Sequence, residues 1–108
     1  MYWLDWSPAR GSEQAGIRPG LIVSNDLGNR NSSVVIVVAL TTRQPRRRYP
    51  FQVAVPASAG SGLQRDSIVM CDQLMTASRD RLLARIGALP LDVMAQVDAA
   101  LRVALSLS

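Results

Sequence analysis

Residues 33–42 read Ser-Val-Val-Ile-Val-Val-Ala-Leu-Thr-Thr, the strongest strand signal in the chain. So many β-branched residues without polar alternation predict a central strand packed on both faces. Residues 2–6, Tyr-Trp-Leu-Asp-Trp, alternate in character and predict a short first strand ended by Ser7-Pro8, with Trp3 and Trp6 in the core or at its end. A polar, Gly-rich loop over 9–18 leads to Leu21-Ile22-Val23 and a second strand over 20–25. Asn25-Asp26 with Gly28-Asn29 then predict a turn, because Asn and Gly tolerate positive φ. Residues 49–55 resume as a strand, and Pro50 favours an edge or strand-start position for it. The small-residue loop 56–62 precedes a strand over 67–75, interrupted by Asp72 and Gln73, at least one of which should point into a cleft.

Two readings compete for 78–89: a helix capped by Ser78 and stopped by Gly87, or a strand on which Leu82, Ala84, Ile86 and Ala88 alternate. The favoured form is a helical turn at 78–82 followed by a strand. Val93, Met94, Val97, Ala100, Leu101, Ala104 and Leu105 then fall at helical spacing, with Pro90 near the start and Asp92 in the first turn. Five to seven short strands and one closing amphipathic helix predict a small, mostly antiparallel barrel or sandwich, as a single domain over 1–108.

Composition supports a real core: the 108 residues are 48% hydrophobic with a mean hydropathy of +0.12. No apolar run approaches the ~20 residues that span a bilayer, and Met1-Tyr2-Trp3-Leu4-Asp5 lacks the basic start of a signal peptide, so the expected location is the cytoplasm, away from membranes. Cys71, the single cysteine, lies in an apolar run and reads as a small buried hydrophobe, since the chain has no His to activate it.

Charge changes the picture more. All 12 basic residues are Arg, and seven of them stand in residues 1–54 against Asp5, Glu13 and Asp26, whereas residues 55–108 balance five Arg with five Asp. The net +4 therefore belongs to the first half. Clustered guanidinium groups suit phosphate or carboxylate partners, because each offers a planar fork to an anion. Arg46, Arg47 and Arg48, with Pro45, form a basic loop that cannot be buried.

With these motifs in view, a family resemblance can be stated. GSEQAGIRPGLIVSND (11–26), Gly28-Asn29, Thr41-Thr42 after the apolar strand, Asp72-Gln73 and the terminal VDAALRVALSL resemble the MazF/PemK toxins of type II toxin–antitoxin modules, in order and nearly end to end. The resemblance implies a compact SH3-like antiparallel barrel of the CcdB/MazF type with a C-terminal amphipathic helix, and a homodimer. It further implies a metal- and cofactor-independent endoribonuclease that cuts single-stranded RNA at short motifs, leaving a 2′,3′-cyclic phosphate and a 5′-hydroxyl. A cognate antitoxin with an acidic tail (MazE-like) is implied as partner. Matched residue by residue, Arg18 and Thr41 carry catalysis. Ser12, Glu13 and Gln14 match the loop over the RNA channel, Gln73 a strand glutamine near the base pockets, and Asn25 the strand exit that lines the groove. Two departures stand out: Met1 falls inside the first strand where members usually have a basic residue, Gly and Asp before it, and Ala15 replaces a common Gly.

The residues themselves restrict the chemistry. Cleavage through the 2′-hydroxyl needs its proton removed, the leaving 5′-oxygen protonated and the phosphorane's charge stabilised. An imidazole pair is excluded by the absence of His, and eight scattered carboxylates offer no metal-ligand spacing. Arg18 is therefore expected to stabilise the transition state first and move protons second, with Thr41 adding a donor. Glu13 reads either as proton acceptor or as the partner that positions Arg18. Arg46, Arg47 and Arg48 read as contacts to phosphate or to the acidic antitoxin. The alternative on the same fold is a CcdB-like, non-enzymatic poison of DNA gyrase, but that class ends in an aromatic residue and this chain ends Ala-Leu-Ser-Leu-Ser.

Overall fold

The β-branched run forms the middle of the sheet as β3 (Val34–Thr41). A computed structural model describes residues 1–6, 16–58 and 60–107. Around β3 stand β1 (Tyr2–Asp5), β2 (Ile17–Ile22), β4 (Gln52–Val55), β5 (Ser67–Ser78) and β6 (Leu82–Arg85) in the order β4-β5-β3-β2-β1-β6, every pairing antiparallel. Two helices are added, α1 (Asp26–Asn31) and α2 (Leu91–Ala104).

Several boundaries differ from the expected ones, each for a local reason. β2 starts at Ile17 and so contains Pro19, which lacks a ladder N–H. The strand tolerates it because β2 pairs with β3 only from Gly20 onward, leaving 17–19 bonded to β1 alone. The expected turn after β2 is the short helix α1, whose cap Asn25 accepts the Gly28 N–H at 2.8 Å. β3 is not packed on both faces throughout: Val34 and Ile36 are 39% and 41% exposed on either side of the buried Val35, and the unbroken buried run is 37–40. Tyr49–Phe51 form a turn before β4, and β4 is an edge strand as Pro50 suggested. The expected helical turn and strand after Ser78 are both present, as Arg79–Arg81 and β6. Leu105 falls beyond α2 and is exposed.

Alternation along the strands sends side chains to two cores. Leu21, Val38, Leu40, Val53, Val55, Val69 and Cys71 pack beneath α2, which contributes Val97 and Ala100. On the opposite face lie Leu4, Trp6, Val35, Val37, Ala39 and Ala77. Trp6 is 5% exposed, whereas Trp3, on the other face of the first strand, is 44% exposed and is not core.

The six-stranded sheet does not close on itself, since β4 and β6 are its two edges. The gap is bridged by the β4–β5 connection instead. There Gly62, at φ +81°, approaches the backbone so closely that a Cβ would meet the Ile86 carbonyl oxygen at 2.2 Å. Among the described residues, no helix is long and apolar enough to cross a membrane.

Candidate functional site

Strand register puts two of the expected site residues, Arg18 and Thr41, on one face of the sheet. β2 and β3 pair Ile22↔Val37, Leu21↔Val38 and Gly20↔Ala39. The ladder stops at Gly20↔Ala39, and the period of two puts Arg18 of β2 and Thr41 of β3, beyond that last pair, on the face shared by Gly20 and Ala39. Arg18 is exposed there, and its carbonyl accepts a hydrogen bond from the Trp6 indole N–H at 3.3 Å. The indole can lie against the strand because Gly20 has no side chain: a Cβ would sit 3.1 Å from Trp6 and 3.3 Å from Leu4. This brace behind Arg18 escaped the sequence reading, although a Gly inside an apolar strand signals close approach.

Thr41 is half-buried at the end of β3, and its Oγ1 accepts the Arg43 N–H at 3.1 Å. With an acceptor site occupied in this way, the hydroxyl proton is available for donation elsewhere. Thr41 opens a groove of about 490 Å³ whose walls are Arg43, Gln44, Arg46, Gln52 and Gln73 and whose floor includes Ile68 and Met70. Thr41↔Ile68 and the Ala39↔Met70↔Gln52 row put this floor on the Arg18 face of the sheet. Gln73 reaches the groove because β5 bulges: Val38 pairs with Leu74 but Ala39 pairs with Met70, so residues 71–73 drop out of the ladder.

Of the predicted site residues, Thr41, Arg46 and Gln73 therefore line one groove, with Arg18 on the same sheet face. Arg47 and Arg48 are exposed on the same loop but are not among the lining residues. Asn25 stands at the other end of β2, where its side-chain oxygen caps α1. Ser12, Glu13 and Gln14 lie outside the described residues. Gln44 and Gln52 were not singled out beforehand. The Gln52-Val53-Ala54-Val55 alternation held the signal, since it sends Gln52 to the face opposite the buried valines.

The groove's polar groups are guanidinium, amide and hydroxyl, a set suited to an anionic, hydrogen-bonding ligand. No group of three or more His, Cys, Asp or Glu that could hold a metal occurs among the described residues. Cys71 is buried beneath α2, and burial first, then the Asp72 charge, pushes its thiol up to about 11. It stays a protonated thiol at neutral pH.

Comparison with known proteins gives this geometry its context. The family of PemK-like, MazF-like toxins of type II toxin–antitoxin systems matches residues 1–105. The chain belongs to that family. Endoribonuclease EndoA of Bacillus subtilis (strain 168) is 39% identical to it over 107 residues, covering 99% of this chain and 91% of that protein. A mycobacterial endoribonuclease solved in complex with its cognate antitoxin superposes with a TM-score of 0.81 at 32% identity, covering 99% of this chain and 91% of the other. MazF of Deinococcus radiodurans (Form-I) superposes at 0.80 with 30% identity, over 97% and 91% of the two chains. The PemK/MazF reading of the motifs is thus the one supported, and the gyrase-poison alternative gains nothing from these matches.

Proposed function

We propose that this PemK/MazF toxin is an endoribonuclease, acting as one domain over residues 1–108. It cleaves single-stranded RNA, mRNA included, at short sequence motifs by attack of a 2′-hydroxyl on the adjacent phosphorus. The P–O5′ bond breaks, leaving a 2′,3′-cyclic phosphate and a 5′-hydroxyl, and the loss of mRNA stops translation and growth. The observation that carries this reading is the cationic, amide-lined groove formed by Thr41, Arg46, Gln52 and Gln73, with Arg18 exposed on the same face of the sheet.

In this reaction the phosphorane gains negative charge that the ground state lacks. Arg18 meets that charge with two parallel N–H donors, and the Thr41 hydroxyl adds a third donor to the non-bridging oxygens. The Trp6 bond to the Arg18 carbonyl holds the strand that carries the guanidinium. Glu13 takes the 2′-hydroxyl proton, or else positions Arg18 while solvent takes it, and the leaving 5′-oxygen receives its proton from Arg18, in its second role, or from solvent. Ser12 and Gln14 on the same loop contact the RNA over the groove, Arg46 with Arg47 and Arg48 follows its phosphates, and Gln73 reads a base edge. Asn25 belongs to the groove of a homodimer, the assembly in which the toxin acts in the cytoplasm. A MazE-like antitoxin with an acidic tail is the complementary partner for the Arg-rich half. The complex of the similar mycobacterial endoribonuclease with its antitoxin supports this pairing.

Incubating the purified chain with a long single-stranded RNA in EDTA tests the reading. Discrete fragments ending in a cyclic phosphate are expected, and Arg18→Ala should produce none while keeping the wild-type thermal midpoint. A folded Arg18→Ala protein that cuts at the wild-type rate would overturn the assignment of Arg18. Intact RNA with the wild-type chain would overturn the activity itself.

A further inference from the structure

Immediately after the three arginines of the basic loop, two aromatic rings are stacked. The centroids of Tyr49 and Phe51 are 5.3 Å apart and their planes differ by 2°. The two rings have unequal surroundings. Phe51 is half-buried and packs against the core under α2, whereas Tyr49 is 47% exposed. One face of the tyrosine is thus backed by a ring anchored in the core, and the residue, next in sequence to the exposed Arg46, Arg47 and Arg48, still presents a large apolar surface to water.

The turn that holds Tyr49 is fixed at both ends. Its N–H donates to Gln52 Oε1 at 3.0 Å, and the Gln52 N–H donates back to the Tyr49 carbonyl at 3.0 Å. The Phe51 carbonyl accepts the Cys71 N–H at 3.0 Å, which ties the turn to the β5 bulge. Gln52, the residue that clamps Tyr49, also lines the groove with Thr41, Arg46 and Gln73. A pre-ordered aromatic beside a cationic track is the arrangement by which single strands are held, phosphates on the cations and a base on the ring.

We infer that Tyr49 is a stacking platform for one nucleobase of the bound RNA, the strand running from the Thr41 groove past Arg46. Tyr49 sets affinity and fixes which nucleotide sits beside the scissile bond; it takes no part in bond breaking. This inference rests on the ribonuclease reading above and deepens it. The competing account is local packing, in which Tyr49 only shields Phe51 and affects stability alone.

Tyr49→Ala, Tyr49→Phe and Tyr49→Trp separate the two, assayed with an RNA that the wild-type chain cleaves and a copy blocked by a 2′-deoxy sugar at the cut. Tyr49→Ala should weaken binding to the blocked RNA and raise KM by about 10- to 100-fold, with kcat within about threefold, while Phe and Trp restore both. Abasic substitution, moved one nucleotide at a time, should find a single position that costs a similar factor in the wild type and nothing further in Tyr49→Ala. Unchanged affinity in Tyr49→Ala, or abasic losses additive with it at every position, would overturn the inference. If the wild-type chain binds RNA but cuts none, the ribonuclease reading falls while the binding cycle still decides the role of Tyr49. If the wild-type chain binds no RNA, both fall.

Discussion

The connection from β3 to β4 and the connection from β4 to β5 begin one short strand apart and treat their polar groups in opposite ways. In the first, residues 43–50 are all exposed, and their charges stay in water around the Thr41 groove. In the second, Ser61 and Leu63 are buried, and the hydrogen bonds are spent within the loop: the Ser61 N–H donates to Ser58 Oγ at 3.1 Å, the Leu63 N–H to Ser61 Oγ at 3.2 Å, and the Ser58 N–H to the Leu63 carbonyl at 3.2 Å. Asp66 touches both, accepting from Ala57 N–H through its carboxylate and from the Gln44 amide through its carbonyl. The contrast separates two tasks. A loop that must meet an anion keeps its cations solvated, and a loop that must bridge an open sheet turns its polar atoms inward.

The bridging side breaks most severely at Gly62. A Cβ there would stand 2.2 Å from the Ile86 carbonyl oxygen, and the +81° φ is already unfavourable for any residue with a side chain. The opposing atom is backbone and cannot swing away. Gly62→Ala should cost ~3 kcal/mol or more and lower Tm by more than about 10 °C, read by calorimetry. Cleavage per folded molecule should hold near wild type at a temperature where the variant is folded. Lost activity with unchanged Tm would move this loop into the site.

Thr41→Val is the converse experiment. It keeps the β-branched shape that suits β3 and removes only the hydroxyl. Loss of one transition-state donor typically costs ~10²–10³ in kcat. That fall is expected with a Tm shift of less than about 3 °C, since among the described residues the half-buried hydroxyl accepts from an exposed loop N–H, that of Arg43. Normal turnover would leave Thr41 as a cap for Arg43.

The contrast between the loops also marks what the sequence could reveal. β3, β5 and α2 were legible because long runs of one period leave little choice, and Thr41 and Gln73 were placed with them. β2 was misplaced at both ends: Pro19 argues against a strand unless one knows that β3 pairs only from Gly20, which is a tertiary fact. α1 was missed because Gly28 and Asn29 are poor helix formers, and a six-residue helix is sustained by its cap more than by propensity. The motif PASAGSG (56–62) reads as an ordinary loop, and nothing in its composition says that Ser61 is buried. The placing of Arg18 and Thr41 on one face depends on the register between β2 and β3. Composition and period do not encode it.

On the solvated side, replacing Arg46, Arg47 and Arg48 together by Gln should weaken RNA binding without shifting Tm. Each guanidinium taken away from a phosphate should flatten the log–log salt slope by ~0.7 for a single strand, so three such changes remove about two units. The single variants sharpen this, because Arg46 alone of the three lines the groove. A slope change confined to Arg46→Gln would restrict the phosphate track to the groove wall. An unchanged slope in the triple variant would leave the loop a solvated face with no part in RNA binding.

Ser61→Ala is the mildest change and the most specific to the bridge. The hydroxyl donates to the Ser58 carbonyl at 3.2 Å, pairs with Ser58 Oγ at 3.1 Å and accepts the Leu63 N–H, all in a buried setting. Removing it strands the Leu63 N–H away from water, a penalty of ~1–3 kcal/mol. The missing oxygen also leaves a void too small to be refilled by a neighbour. Tm should therefore fall by about 5–10 °C, with kcat and RNA affinity unchanged when measured on folded protein. Were RNA affinity to fall with Tm unaltered, the inward-facing network would be part of the recognition surface after all, and the separation between the two loops would fail at its least charged point.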